Sequence, residues 1–199
     1  MRGYATAGVS TVRGVTLTGD THYKSAEDFM EKDIYSGKIF EITQRTVSLP
    51  NGKSALRDIV HMRGAAAVLP LTDDGRILFV RQFRAAAQIN MLEIPAGMID
   101  PGEEPLQCAV RELEEETGYK ATGMEFMLRF HPGAGYNTEV LHLYLAKGLT
   151  PGTRHLDEDE FVTVEAYDLA TALRWIDEGV ITDAKTIIAL LFYTRTQGL

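Results

Sequence analysis

The 199-residue chain is 45% hydrophobic and 24% charged, ordinary values for a globular protein and long enough for one core with a smaller appendage. Its net charge of -8 excludes the basic footprint of a non-specific nucleic-acid binder. It does not exclude a phosphate-bearing small ligand, because a divalent cation reverses the local sign. Cys108 is the single cysteine, so no intrachain disulfide can form and a reducing, cytoplasmic compartment fits. The first residues lack the apolar stretch of a secretory signal. The longest apolar run, Ile187 to Tyr193, is too short to span a bilayer.

Residues 1–30 are rich in Gly, Thr and Ser without a sustained period and read as a flexible extension. From Lys38, two β-rich runs flank Asn51-Gly52, a strong hairpin signal. The stretch from Gly64 to Phe83 repeats the pattern around Asp74-Gly75, so a second hairpin is expected there. Gly123–Phe130 and Val140–Ala146 form a third expected strand pair. Before that pair, Pro105 opens an amphipathic helix with Leu106, Ala109, Val110 and Leu113 at helical spacing. A short strand over Phe161–Tyr167 precedes a helix opened by Asp168 and closed by Gly179. A last helix follows Thr182 or Asp183 as its cap. Strands interspersed with helices predict an α+β sandwich with a mixed sheet, not an all-β fold.

The Pro105 helix is crowded with acid: Glu112, Glu114, Glu115 and Glu116. At roughly 100° per residue, the four apolar residues share one face. Glu112, Glu115 and Glu116 gather on a flank roughly 110° away, bordering the core. Glu112 and Glu116 are i,i+4 neighbours and repel by a few tenths of a kcal/mol; a hard divalent cation held by both reverses that sign. Glu103, Glu104 and Glu114 read as solvated surface, the first two suited to the helix dipole. Gly97 stands where a strand is expected to end, and a backbone carbonyl there can face a metal. Gly118 sits where a left-handed C-terminal cap belongs, and Arg111 is expected to orient a carboxylate through its fork.

Gly97, five residues, Glu103, seven residues and then Arg111-Glu112-Leu113-Glu114-Glu115-Glu116-Thr117-Gly118-Tyr119 resembles the Nudix hydrolase signature, with Tyr119 its loosest position. Segments from Glu31 to Tyr193, among them "ILFVRQFR", "LEIPAGMIDPGEEP" and "TDAKTIIAL", resemble the ADP-ribose pyrophosphatase branch. The resemblance implies an α/β/α sandwich over 63–199 preceded by an antiparallel strand domain at 31–62, exchanged between the subunits of a homodimer. It also implies Mg²⁺ or Mn²⁺, two or three ions per site, and a nucleoside diphosphate sugar as substrate, with ADP-ribose yielding AMP and ribose 5-phosphate. No nucleic acid or membrane partner is implied.

By the same resemblance, Glu112 and Glu116 are metal ligands with the Ala96 carbonyl, and Glu160 is a further metal contact. Glu158 aligns with a loop glutamate that serves as general base in some relatives. Glu115 is a further ligand or an alternative base, and Arg111 belongs to the same catalytic set. Arg57 and Arg84 match arginines that hold phosphates or stack on adenine, for which a planar fork is suited. Asp58, Met98 and Glu139 match further substrate contacts. The chain departs from the branch in "HPGAGYNTE": Ala134 stands at the expected proline, and Pro132 lies two residues earlier. A GDP-mannose hydrolase is therefore the alternative within the class. A non-catalytic ADP-ribose-binding module is the alternative outside it, disfavoured by the intact glutamate set. The five histidines lack ligand-like spacing, and Cys108 and Trp175 read as packing.

Overall fold

Every residue of Ala65–Pro70 is buried, which one-sided strands never are; both faces must be covered. The computed structural model describes residues 31–156 and 161–198. The strands are β1 (Glu31–Ser36), β2 (Phe40–Ser48), β3 (Ser54–Met62), β4 (Ala65–Pro70), β5 (Arg76–Arg84), β6 (Ile89–Glu93), β7 (Ala96–Met98), β8 (Tyr119–Phe130), β9 (Leu141–Pro151) and β10 (Thr163–Asp168). The helices are α1 (Pro105–Thr117), α2 (Leu169–Asp177) and α3 (Ala184–Gln197). They form a small antiparallel sheet β1-β2-β3, a mixed sheet β7-β4-β9-β8 and an antiparallel sheet β10-β5-β6.

Alternation along β4 explains its burial. Ala66 and Val68 pack with Cys108, Ala109 and Leu113 of α1, whereas Ala65, Ala67 and Leu69 join Phe79, Leu92 and Leu143 in the larger core, with Ala189 and Leu190 of α3. β9 splits the same way, parallel to β4. The mixed sheet is thus sandwiched between α1 and the second sheet, the α+β arrangement expected.

The Asn51-Gly52 hairpin forms, β2 pairing with β3 over Phe40↔Met62 to Ser48↔Ser54. The hairpin expected at Asp74-Gly75 does not extend beyond its turn. Gly75 takes φ +81, and Leu71 bridges to Ile77. The two strands then part, β4 pairing with β7 and β9, and β5 with β6 and β10. A local turn signal cannot foresee that two buried, apolar strands serve different sheets. β8 pairs with β9 as expected. Asp168 and Asp183 cap α2 and α3, accepting from the Thr171 and Thr186 amides.

The expected face of α1 is corrected. Leu106 and Val110 are 45% and 44% exposed, while Cys108, Ala109, Leu113 and Glu116 are buried. The helix is rotated so that its acidic flank faces inward, because tiny Ala66 and Ala109 allow close packing and Glu116 finds a backbone donor. Trp175 packs at the core edge, its ring 4.5 Å from that of Tyr167. Among the described residues no helix is long and apolar enough to cross a membrane.

Candidate active site

Pro95 interrupts the edge between β6 and β7, and β7 lies beneath α1. Gly97 falls inside this short strand instead of beyond a strand end. Ala96 and Gly97 meet two carboxylates one helical turn apart. The Ala96 amide donates to Glu116 Oε2 at 3.1 Å, and the Glu112 carboxylate lies directly over Gly97. A Cβ on Gly97 would be driven into Glu112 Oε1 and would stand only 2.6 Å from Oε2, the most distant of the three clashing atoms. The glycine is there because a carboxylate occupies the space of its side chain.

Arg111 answers the question of how the acids coexist. Its Nε and Nη2 donate to the two oxygens of Glu103 at 2.9 and 3.0 Å. Its Nη1 bridges Glu112 Oε1 at 2.7 Å and Glu115 Oε2 at 2.8 Å, and Nη2 also reaches the Met98 carbonyl at 3.1 Å. One planar fork therefore ties three carboxylates to β7, which a lysine could not do. Pairing with Glu103 above all holds Arg111 firmly protonated. Arg111, with help from the Asp100 amide, holds the Glu103 carboxyl down at about 2 against an ordinary 4.5.

The depressed Glu103 contributes stability above the unfolded pKa and loses it as pH falls from about 5 toward 2. After allowance for solvent screening, urea melts should show Glu103 supplying about 1 kcal/mol at neutral pH that is largely gone by about pH 2. Glu103→Gln should flatten that part of the profile; an unchanged acid limb in the variant would remove Glu103 from the account.

The expectation that Glu114 is solvated surface is corrected. Its Oε1 accepts from the Thr153 amide at 3.2 Å and pairs with Lys120 at 3.3 Å, pinning the strand end that follows β9. Nearby, Arg154 donates to the Glu116 carbonyl at 2.8 Å and to the Val162 carbonyl. It thus ties α1 to the far side of the 157–160 segment. Glu158 and Glu160 lie in that segment, outside the described residues. Cys108 is fully buried, and burial pushes its thiol up to about 12, so it packs and does not react.

Across from α1, Arg84 at the end of β5 donates to both oxygens of Glu93, at 2.7 Å each. Glu93 is 1% exposed. Burial pushes its carboxyl up, but Arg84 and Lys185 outweigh this and hold it below the usual range. Lys185 also pairs with Asp183 at 3.1 Å. Sequence reasoning missed this network. One signal was present: Lys185 stands in the first turn of α3, where a cation opposes the helix dipole. Glu139 is half-buried, and burial raises its carboxyl against the pull of Asn137 and Lys185.

Ala96, Met98, Arg111, Glu112, Glu115 and Glu116 are thus brought together at β7 and α1. Arg57 and Asp58 stand instead on β3, pointing to opposite faces as strand neighbours must. Asp58 accepts from Gln44 at 3.1 Å. Arg57 lines a cleft of about 380 Å³ with Arg45, Ile59, Ala134, Tyr136 and Asn137. Neither Glu112 nor Glu116 lines that cleft, so its size does not mark the chemistry; the carboxylates do.

The donors at α1 suit a hard cation. Glu112 and Glu116 offer oxygen, sit against a backbone that a side chain would block, and border a concentrated negative charge. Among the described residues no three His, Cys, Asp or Glu side chains form a ready cage. The fit rests on donor chemistry and on the cradle at Gly97.

The NUDIX domain family model matches residues 61–190, spanning β4 to α3. The chain is 41% identical over 180 residues to an ADP-ribose pyrophosphatase of Bacillus subtilis, covering 88% of this chain and 97% of that protein. It is also 41% identical over 170 residues to a methanol dehydrogenase activator of Bacillus methanolicus, covering 84% and 92%. A crystal structure of an ADP compounds hydrolase superposes with a TM-score of 0.75 at 22% identity, covering 88% of this chain and 98% of that one. On the signature residues gathered at α1 and this extent of likeness, the chain belongs to the Nudix hydrolase family.

Proposed function

We propose that the chain hydrolyses the pyrophosphate of a nucleoside diphosphate sugar, ADP-ribose before others, to AMP and ribose 5-phosphate. The observation that carries this is the pair Glu112 and Glu116 seated on Ala96 and Gly97 with Arg111 behind them. The relative named ADP-ribose pyrophosphatase supports the substrate. Glu112, Glu116 and the Ala96 carbonyl, with Glu160, would hold Mg²⁺ or Mn²⁺, two or three ions. When bound, the metal supplies charge neutralisation for the phosphates and a more acidic water.

The chain's own residues do the rest. Arg111 keeps Glu112 and Glu115 from rotating away from their places. Glu158 removes the proton of the attacking water, with Glu115 or Glu160 as the alternative base. Arg84 and Arg57 hold the diphosphate or stack on the base, and Asp58, Met98 and Glu139 line the substrate's path. Ala134 and Tyr136 in "HPGAGYNTE" border the Arg57 cleft, so this loop governs the sugar, and GDP-mannose remains the second reading. The β1-β2-β3 sheet, with the bend joining β1 to β2, exposes Ile34, Tyr35, Ile39 and Leu56. This supports a homodimer in which one protomer's sheet completes the partner's site, and light scattering that finds a monomer would remove that part.

A panel of ADP-ribose, GDP-mannose, ADP-glucose, NADH and dGTP with Mg²⁺ tests the reading. ADP-ribose should lead in kcat/KM by about tenfold or more; no turnover of any nucleoside diphosphate sugar would sink it. Glu158→Gln should lower kcat by about 10²–10⁴-fold with little change in calorimetric Mg²⁺ affinity. An intact kcat would move the base to Glu115 or Glu160.

A further inference from the structure

Glu93 is a buried carboxylate with two cationic partners where one would neutralise it. Its Oε2 accepts both Arg84 Nη2, at 2.7 Å, and Lys185 Nζ. Arg84 is 41% exposed, its fork partly open to solvent, whereas Lys185 is 11% exposed. The lysine is too enclosed to grasp a ligand itself, and its ammonium is already committed to Glu93 and Asp183. Two cations and two anions make the cluster neutral. Its backbone is rigid as well: the Ile94 amide donates to Thr186 Oγ1 at 2.9 Å, and that hydroxyl donates to Asp183 at 2.6 Å. The first turn of α3 is thereby bolted to the chain immediately after Glu93.

We propose that Lys185 is a positioning residue that sets the pose of the Arg84 guanidinium through Glu93, and so tunes substrate binding without touching substrate. This rests on the hydrolase reading above, in which Arg84 contacts the substrate. With Lys185 in place, Glu93 and Asp183 are both satisfied from the interior, and Arg84 needs only Nε and Nη2 to hold its station, leaving its outer edge for phosphate or base. Without it, two anions compete for one guanidinium. Arg84 then turns inward toward Asp183, which already contributes to its field together with Glu116. The same loss also removes a cation whose field lowers the Glu139 carboxyl. The unfavourable placement of a lysine against the α3 dipole is offset by this tertiary contact.

The test is steady-state kinetics on ADP-ribose at saturating Mg²⁺ for wild type, Lys185→Met, Lys185→Arg, Glu93→Gln and the Glu93→Gln/Lys185→Met double variant, with calorimetric Kd for AMP as a readout free of turnover. Lys185→Met should raise KM and the AMP Kd by about tenfold with kcat within about twofold, and Lys185→Arg should restore most of the loss. The double variant should be no worse than Glu93→Gln alone, because Lys185 acts through Glu93. A folded Lys185→Met with unchanged KM and AMP Kd overturns the proposal. So does multiplication of the two single effects, which would mean that the lysine acts independently of Glu93. If Lys185→Met fails to fold by circular dichroism, the comparison of Glu93→Gln with the charge-neutral double variant decides. A wild type that binds AMP but turns over no nucleotide sugar sinks the hydrolase reading and leaves the AMP comparison to judge Lys185.

Discussion

Replacing Gly97 with alanine should lower activity by about 10–100-fold and weaken Mg²⁺ binding by a similar factor, although the added group is a single methyl. The backbone at this position does not require glycine; the carboxylate above it does. A Cβ there falls within the van der Waals shell of all three atoms of the Glu112 carboxyl group, so either α1 lifts or Glu112 swings away. Lifting α1 is opposed by the packing of Cys108, Ala109 and Leu113 on Ala66 and Val68, a close-packed contact that yields little. Glu112 therefore moves, and with it the bond from Arg111 Nη1. Calorimetric Mg²⁺ titration beside Glu112→Gln is the direct measurement, since both substitutions should damage the same ligand. Wild-type metal affinity in Gly97→Ala would show that Glu112 is not the ligand the cradle serves.

Arg111→Met should be the most destabilising single change in the site. It strips the cation from Glu103 and Glu112, only 14% and 13% exposed, and from the more open Glu115 at 36%. Removing one partner of a largely buried pair leaves uncompensated charge, and here three carboxylates lose their shared partner together. A loss of about 2–4 kcal/mol is expected, moderated by solvent at Glu115. For a chain of this size that lowers Tm by roughly 5–15 °C. Mg²⁺ should recover part of it, because a second cation can satisfy Glu112. Arg111→Lys should fall between, since an ammonium cannot reproduce the bidentate grip on Glu103. Thermal melts with and without Mg²⁺ measure this; a variant melting like wild type would mean that the acids are screened by water alone.

Much of this is legible in the sequence alone. Asn51-Gly52, Pro105, Gly118, Asp168 and Asp183 each act within a few residues of themselves, so turn and cap chemistry suffices to read them. The spacing from Gly97 to Tyr119 likewise identifies the family, because the acidic helix and the strand beneath it are close together in the chain. Glu114 was misread because its partner, the Thr153 amide, is 39 residues away. The rotation of α1 was misread because Leu106 and Val110 are apolar, yet the small residues at Ala66 and Ala109 decide which side can approach the sheet.

Local spacing in the sequence thus dictates which carboxylates share a helix flank and which family signature they complete. Tertiary structure alone decided how β4 and β5 divide between sheets, which way the acid flank turns, and that Lys185 reaches Glu93 across 92 residues. The physical reason is the same in each case. Turns, caps and helical spacing are settled by neighbours within one or two turns, whereas burial on both faces and the pairing of buried charges depend on partners that only packing brings together.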